Sequence, residues 1–481
     1  MFRRSSLAPI LLASLACRPS AGSNSEAPEQ PVASSSVSAS TYAHSEPTAV
    51  PTTPPPPRVA ELLAKVDPAR IRADIDALAA FGTRHTLSTD APDRGIKAAS
   101  RYLLKRFEEA VVGDRAAGPL AVSLDTHQLE PDGRRVTHAV ELSNVVAVLP
   151  GSMPEAAHRH VYVLGHYDSR ASDVMEPDAD APGANDDASG VALTLELARV
   201  LAGEPLDATV VFMATAGEEQ GLLGARRHAA SVRDQGRFIT GVLSNDIVGD
   251  PTAPNGARYD TEVRVFSTGV SRVYEGEGLA EQRKLGMLSD GDSRQLARFI
   301  ATVAQWEGTR VQPRLVFRLD RFLRGGDHLA FDELGYPAVR FTEVAENYDR
   351  QHQDPRTVEK REFGDFPEHV DADYLADVTR LDGAALIHLA NAPARPAGAV
   401  VVAKALTTDT TVKWQPGHEP DLVGYEVVWR RTTSPRWQQV RDVGLDTQAT
   451  IDLHKDDWIF GVRAYDRDGY RSPVSPCGVA L

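Results

Sequence analysis

Acidic and imidazole side chains follow three short apolar runs of this chain, at the points where strands would end. His166 and Asp168 come directly after the first run. Glu218 and Glu219 come shortly after the second run, and Asp246 follows the third. Imidazole nitrogens and carboxylate oxygens are the ligands that suit zinc and its neighbouring metals. If the three runs lie side by side, these side chains form a candidate metal site.

The apolar runs alternate with helical patterns, which is typical of an α/β domain. Short β-branched runs lie at 144–149, 160–164, 208–213, 239–243, 263–267 and 338–341. Helical patterns separate several of them, most clearly at 189–201 and 221–231. This alternation predicts a three-layer α/β/α sandwich with a largely parallel mixed sheet. Because ligands bind outside the carboxyl ends of strands in open α/β sheets, the strand-end side chains should meet at one edge.

A loop at 182–190 precedes one of these helices and can reach the same edge with Asp186 and Asp187. Each acidic group also has an ordinary explanation. Paired glutamates often begin a helix, where acids suit the helix dipole, and paired aspartates before Ser-Gly often form a turn. The joint placement of these groups at strand ends favours a site.

Six blocks of the sequence resemble, in the same order, the co-catalytic zinc exopeptidases. That family includes bacterial leucyl aminopeptidases, glutamate carboxypeptidases and glutaminyl cyclases. The matching blocks are Gly165–Ser169, Pro182–Gly190, Gly217–Gly221, Asn245-Asp246, Gly326–Phe331 and His352–Thr357. They lie within residues 58–393, which we therefore interpret as a di-zinc peptidase domain that acts on peptide substrates.

The resemblance implies two Zn²⁺ ions as cofactors and assigns five metal ligands. His166 and Asp246 would hold one ion, Glu219 and His352 would hold the other, and Asp186 would bridge the two. Zinc pairs of this kind lie about 3.5–4 Å apart and act together on the attacking and leaving atoms.

Glu218 would be the general base and Asp168 a supporting catalytic residue. The resemblance implies that the metals lower the pKa of a water molecule to roughly 7. Glu218 would take its proton and pass it to the leaving amine. Asp168 would hydrogen-bond the far ring nitrogen of His166 and so fix its orientation. A cis peptide bond between Asp186 and Asp187 is also implied.

Three other features have weaker support. Asp327-His328 could line the pocket, and Tyr348, close to His352, could donate a hydrogen bond to the oxyanion. For Arg84-His85 we expect a surface or packing role.

The most favoured activity is that of an aminopeptidase. A glutaminyl cyclase or a carboxypeptidase on the same scaffold remains an alternative, as does an inactive peptidase-like interaction protein. An inactive relative should have lost a ligand or the general base, and this chain retains all six. A carboxypeptidase needs cations for a substrate carboxylate, and the sequence shows no clear arginine cluster, although separate loops could supply one.

The composition and charge of the chain argue against two other classes of protein. The 481 residues include 52 basic and 67 acidic side chains, a net charge of −15, with no long basic run. A nucleic-acid partner is therefore not expected. Two cysteines, Cys17 and Cys477, are too few for a disulfide scaffold.

The N-terminus predicts export. Arg3 and Arg4 precede an apolar run that ends at Cys17, the pattern of a secretory signal peptide over 1–17. Its ending resembles a bacterial lipoprotein signal, which implies lipidation at Cys17; an ordinary secretory signal is the alternative. The protein would be lipid-anchored to the bacterial envelope or secreted. Residues 18–57 contain nine Pro, nine Ser and four Thr, a composition typical of a disordered tether.

Short alternating strands over 394–481 predict a small all-β sandwich. Trp414, Tyr425 and Asp468-Gly469-Tyr470 resemble the pattern of a fibronectin type III module. Such a module could bind protein or polysaccharide. No residue proposed for chemistry lies within it.

Overall fold

A computed structural model of the protein describes residues 54–110, 120–271, 275–404 and 407–480. The predicted signal peptide with Cys17, and the tether as far as residue 53, lie outside the described residues. Within the described ranges, no helix combines the length and the apolar character needed to cross a membrane.

The larger part of the structure is built on one eight-stranded sheet. Its strands are β1 (Ala121–Leu129), β2 (Val140–Leu149), β3 (Arg159–His166), β4 (Thr209–Thr215), β5 (Phe238–Asn245), β6 (Glu262–Phe266), β7 (Gln312–Val316) and β8 (Ala338–Thr342). Their order is β1-β2-β4-β3-β5-β8-β6-β7. The central strands β4, β3, β5 and β8 are mutually parallel, whereas β1 and β2 pair antiparallel. This is the predicted largely parallel mixed sheet.

Helices cover both faces of this sheet. They are α1 (Pro57–Leu63), α2 (Pro68–Ala79), α3 (Ile96–Glu109), α4 (Ala188–Leu201), α5 (Leu223–Asp234), α6 (Gly276–Lys284), α7 (Asp292–Glu307), α8 (His328–Asp332) and α9 (Ala372–Asn391). Successive side chains of β3 point to opposite faces. Val161 and Val163 join the core formed with α4, α7 and α9, while Tyr162 and Leu164 join the core formed with α5 and α8. The predicted three-layer α/β/α sandwich is confirmed.

The C-terminal part contains two small four-stranded sheets, as predicted. One has the order β15-β12-β11-β18 and the other β14-β13-β16-β17. Their strands are β11 (Val400–Val402), β12 (Thr410–Lys413), β13 (Leu422–Arg431), β14 (Gln439–Asp442), β15 (Gln448–Ile451), β16 (Trp458–Asp466), β17 (Ser475–Pro476) and β18 (Gly478–Ala480). A separate hairpin, β9 (Arg356–Val358) with β10 (Arg361–Phe363), belongs to the α/β part. The resemblance to fibronectin type III stays a prediction.

A buried ionic cluster joins the all-β part to the α/β part. Asp290, just before α7, accepts two hydrogen bonds from Arg430 of β13, at 2.7 and 2.8 Å. Arg298 of α7 donates to the same carboxylate at 2.9 Å, and all three side chains are at most 5% exposed. Trp437 adds a hydrogen bond to Gln295 at 3.1 Å. The all-β part is therefore a packed component of the molecule.

We expect Asp290→Asn to destabilise the protein strongly. The substitution leaves two buried guanidinium groups without a carboxylate, and breaking a buried ion pair typically costs about 3–5 kcal/mol. Urea denaturation monitored by tryptophan fluorescence measures the change. Glu109→Gln, which removes a surface partner of Arg106 and Lys105, is the control and should change little. Equal small effects of both variants would contradict the structural role of the cluster.

Candidate metal centre

The strand-end side chains predicted from the sequence do lie at one edge of the sheet. His166 is the last residue of β3, and Asp246 directly follows the end of β5. Glu219 lies in the turn after β4, and Asp186 comes just before α4. Because β4, β3 and β5 are adjacent and parallel, their carboxyl ends bring these side chains together.

The five predicted ligands form two groups that share one residue. His166 Nε2 lies 3.2 Å from Asp186 Oδ1 and 3.8 Å from Asp246 Oδ1. His352 Nε2 lies 3.0 Å from Asp186 Oδ2 and 3.0 Å from Glu219 Oε1. Within each group the ligand atoms are all within 4.8 Å of one another. We call them the His166 group and the His352 group; Asp186 contributes one oxygen to each.

These groups fit zinc in both chemistry and spacing. A tetrahedral zinc ion with ligands at about 2.0–2.1 Å holds its ligand atoms about 3.3 Å apart, close to the distances observed. Glu219 Oε1 is buried and has no hydrogen-bond donor among the described residues, although it faces His352 Nε2. Both atoms can ligate a metal, and their separation of 3.0 Å is close to that of two ligands of one ion.

The electrostatics also favour bound positive charge. Burial disfavours the charged form of His166, but hydrogen bonds to Asp168, Asp186 and Asp246 hold its pKa well above the ordinary value. Burial likewise opposes ionisation of Asp186, yet the nearby His352 and His166 keep its pKa well below the usual range. The carboxylates of this edge thus stabilise whatever cation lies among them.

Glu218 adjoins both groups without belonging to either. Burial, together with repulsion from Glu219, Asp246 and Asp327, raises the pKa of Glu218 well above its usual value. A cleft of about 170 Å³ exposes Glu218 beside the two groups. A carboxylate with a raised proton affinity at the wall of a cleft can accept a proton from a bound molecule.

Asp168 connects the His166 group to the turn that carries the glutamates. Its carboxylate accepts hydrogen bonds from the backbone N–H groups of Glu218 and Glu219, each at 3.1 Å. The far ring nitrogen of His166, Nδ1, lies 3.2 Å from the Asp168 main-chain carbonyl and 3.6 Å from its carboxylate. Asp168 therefore contacts the far ring nitrogen of His166, as predicted, and the nearest acceptor is its main-chain carbonyl.

Asp187 lies in the loop that was predicted to reach this edge, and its carboxylate joins that loop to two strand ends. The Asp186–Asp187 bond is cis, as expected. The Asp187 carboxylate accepts from the backbone N–H groups of His166 at 3.0 Å, Gly190 at 3.0 Å and Ile247 at 3.2 Å. A Cβ at Gly190 would come within 2.2 Å of the carbonyl oxygen of residue 245. Only glycine permits α4 to approach β5 this closely.

Two other supporting residues were missed by sequence reasoning. Asp365, after the β9–β10 hairpin, accepts from the backbone N–H groups of Asn185 and Asp186, the latter at 2.7 Å. Arg340 of β8 is fully buried, and its Nη2 lies 2.8 Å from Asp246 Oδ1. Neither residue belongs to a recognisable motif. Their role follows from chain segments that only the fold brings near.

The weaker expectations have mixed outcomes. Asp327 is buried and bonded to the Thr215 hydroxyl, so it lies outside both groups. Tyr348 is 56% exposed and lies beside Arg324, and it does not line the cleft. Arg84 has the packing role: it is buried and donates to main-chain carbonyls of the loop that leads to Asp186, including Gly183 at 2.8 Å.

Comparison with known proteins gives one family. Residues 144–371 match the model of peptidase family M28. A probable zinc metalloprotease of Pyricularia oryzae is 44% identical over 420 residues, covering 86% of this chain and 83% of the relative. Another, from Leptosphaeria maculans, is 40% identical over 421 residues, covering 87% and 96%. The crystal structure of LapA from Legionella pneumophila has a TM-score of 0.51 at 18% identity, covering 70% and 76% of the two chains. This last likeness concerns the fold.

We expect Asp365→Asn to weaken zinc binding in a folded protein. The amide cannot accept from both backbone N–H groups with the strength of a carboxylate, so Asp186 loses its fixed position. Loss of such supporting contacts typically costs 10–100-fold in metal affinity, which competition with a chelator measures. Asp67→Asn, which alters a similar backbone cap at the start of α2, should leave zinc affinity unchanged. Equal zinc affinity of the wild type and Asp365→Asn would show that Asp365 has no positioning role.

Proposed function

The chain belongs to peptidase family M28 and is a zinc metallopeptidase; from this premise we propose that it is a di-zinc exopeptidase, specifically an aminopeptidase. The observation that carries the proposal is the sharing of Asp186 between the His166 group and the His352 group. Two cation sites joined by one carboxylate suit two ions acting on one substrate. The small cleft beside them suits the end of a peptide more than a chain passing through.

The residues at this edge of the sheet have separate roles in metal binding and proton transfer. In the proposal, His166 and Asp246 hold one ion, Glu219 and His352 hold the other, and Asp186 bridges them. Bound zinc supplies Lewis acidity, which lowers the pKa of water to about 7 and polarises a carbonyl. Glu218 accepts the proton of the attacking water and returns it to the leaving amine. Asp168 fixes the turn that carries Glu218 by accepting hydrogen bonds from the backbone N–H groups of Glu218 and Glu219.

A substrate panel tests the class of activity. The zinc-loaded full-length protein is assayed on aminoacyl arylamides, N-blocked peptides with a free carboxyl end, and peptides with N-terminal Gln. Release of the N-terminal residue that stops on chelation and returns with zinc supports the aminopeptidase. Hydrolysis only at the carboxyl end would instead identify a carboxypeptidase. Cyclisation of the N-terminal Gln would identify a glutaminyl cyclase. No turnover of any member by protein with full zinc favours the inactive, interaction-only alternative.

We predict that Glu218→Gln and Glu219→Gln separate proton transfer from metal binding. Gln has the shape of Glu without useful basicity, and general acid–base catalysis is worth about 10²–10⁴-fold. Glu218→Gln should retain close to two zinc ions per chain while kcat falls at least about a hundredfold. Glu219→Gln should lose zinc from one site. Elemental analysis and steady-state kinetics on the same samples measure both. A fully active Glu218→Gln protein would refute the assigned base.

Export is a separate part of the proposal and is supported by the sequence alone. We propose that Cys17 is lipidated and that the tether over 18–57 holds the peptidase away from the bacterial envelope. We also propose that the part over 394–481 can bind protein or polysaccharide.

We predict that Cys17→Ser moves the protein from the membrane fraction to the soluble exported fraction of bacterial cells that express the full chain. Labelling with a radioactive fatty acid provides the direct control. Membrane association that survives the substitution would contradict lipid anchoring at this residue.

A further inference from the structure

The cleft beside the two ligand groups has a wall of arginines. Arg135, Arg170, Arg321 and Arg324 line it. They come from three separate segments of the chain: the loop between β1 and β2, the segment after β3, and the loop before α8, which supplies both Arg321 and Arg324. Sequence reasoning found no arginine cluster because these three segments are far apart in sequence.

One of the four is neutralised within the protein. Arg321 is ion-paired to Asp320 at 3.2 Å and also to Glu346, and its side chain is only 8% exposed. Its charge is therefore balanced by the fold. Arg321 is therefore the comparison for the other three arginines, because its charge is already paired within the protein.

The other three have no carboxylate partner among the described residues. Arg135 donates to the main-chain carbonyl of Glu219 at 2.9 Å. Arg170 donates only to the main-chain carbonyls of Ala171 and Ser172, at 3.1 and 3.2 Å. A guanidinium has five N–H donors in a fixed fork. These contacts use one guanidinium nitrogen of Arg135 and two of Arg170, so each side chain keeps further donors for a ligand in the cleft that it lines.

Arg324 also lacks a carboxylate partner among the described residues. Its Nη1 lies 3.1 Å from His352 Nδ1, and its guanidinium lies 5.7 Å from the Tyr348 ring centroid. The side chain lines the cleft beside the His352 group. Because a guanidinium has five N–H donors, further donors of Arg324 remain for a ligand.

The rest of the cleft offers little to an apolar side chain. Apart from the ligands, Glu218 and the arginines, the described lining consists of Leu323, Gly325 and Gln351. Because the protein has 67 acidic residues and 52 basic ones, an excess of basic residues does not explain why these arginines lack a carboxylate partner. The carboxylates that also line the cleft are those of Glu218 and of three proposed metal ligands, Asp186, Glu219 and Asp246. If the ligand carboxylates hold metal ions, the three guanidinium groups favour an added anion, and guanidinium binds carboxylate with two parallel hydrogen bonds.

We propose that this cleft binds a carboxylate of the substrate, held by Arg135, Arg170 and Arg324 beside the metal centre. The inference rests on the proposed peptidase function and names its substrate class: peptides that present an acidic group next to the scissile bond. That group is either the side chain of an N-terminal Glu or Asp, or the α-carboxylate of a C-terminal residue. The chemistry recognised is the same in both cases.

Matched substrate pairs test the proposal on the zinc-loaded full-length protein. Glu-arylamide is compared with Gln-arylamide, which differs only in the charge of the side chain. An N-blocked dipeptide with a free C-terminal carboxylate is compared with its C-terminal amide. We expect kcat/KM to favour the charged member of one pair by at least about tenfold, the value of one charge-assisted hydrogen bond. The pair that responds identifies the source of the carboxylate.

Substitutions then assign the effect to the arginines. Arg135→Gln and Arg324→Gln should each reduce the charged-to-neutral ratio of kcat/KM at least about fivefold, through KM, with zinc content intact. Arg134→Gln is the matched control, because Arg134 adjoins Arg135 and does not line the cleft; its ratio should equal that of the wild type. Equal hydrolysis of charged and neutral members, or a ratio that survives both substitutions, overturns the proposal.

A binding measurement separates this proposal from the peptidase assignment. Calorimetric titration of the zinc-loaded protein needs no turnover, and one matched pair is used for each source of the carboxylate: L-glutamate with L-glutamine, and N-acetyl-leucine with N-acetyl-leucinamide. Tighter binding of the charged member of either pair, lost in Arg135→Gln and Arg324→Gln, supports the carboxylate site even if the substrate panel shows no activity. Equal affinity within both pairs counts against the arginine site while leaving zinc-dependent hydrolysis intact.

Discussion

A single buried carboxylate, that of Asp187, sets the geometry on which the metal centre depends. It accepts hydrogen bonds from the ends of β3 and β5 and from the first turn of α4. His166 is itself one of the contacted residues, Asp186 directly precedes Asp187, and Asp246 directly precedes Ile247. These three residues form the His166 group. Three flexible connections thereby become one rigid unit. Hydrogen bonds between a carboxylate and backbone N–H groups are strong and directional, so the ligands are positioned before any ion arrives.

Charge balance is the second constraint at this edge. Several carboxylates within one buried region repel each other, and the protein offsets this with few fixed cations. Arg340 lies against Asp246. Burial raises the pKa of Asp365 to about 7, although backbone N–H donors and the charge of Arg84 oppose this rise. Arg84 itself remains cationic, although burial lowers its pKa to about 10. The remaining negative charge is left for metal ions, which links the electrostatics of the fold to the chemistry of the site.

Local sequence patterns predicted the elements that local forces control. The apolar run at 160–164 forms β3, with His166 as its last residue. The strand β1 was missed because its residues are mostly polar and partly exposed, and its position depends on pairing with β2. Asp365 could not be found because it reaches Asn185 across 180 residues. The metal ligands could be predicted from the sequence because they belong to a family pattern. The groups that support them, and the arginines of the cleft, could be found only from the tertiary structure.

The cluster around Asp290 has a consequence for how the chain is made. The second arginine partner of Asp290 lies 140 residues further along the chain. Every proposed ligand of the metal centre leaves the ribosome before Arg430 does. Until Arg430 arrives, Asp290 has Arg298 as its partner, and the surface of the α/β part that the all-β part covers stays exposed. Exposed surface of this kind is typical of aggregation-prone intermediates, so synthesis of the all-β part protects the α/β part made before it.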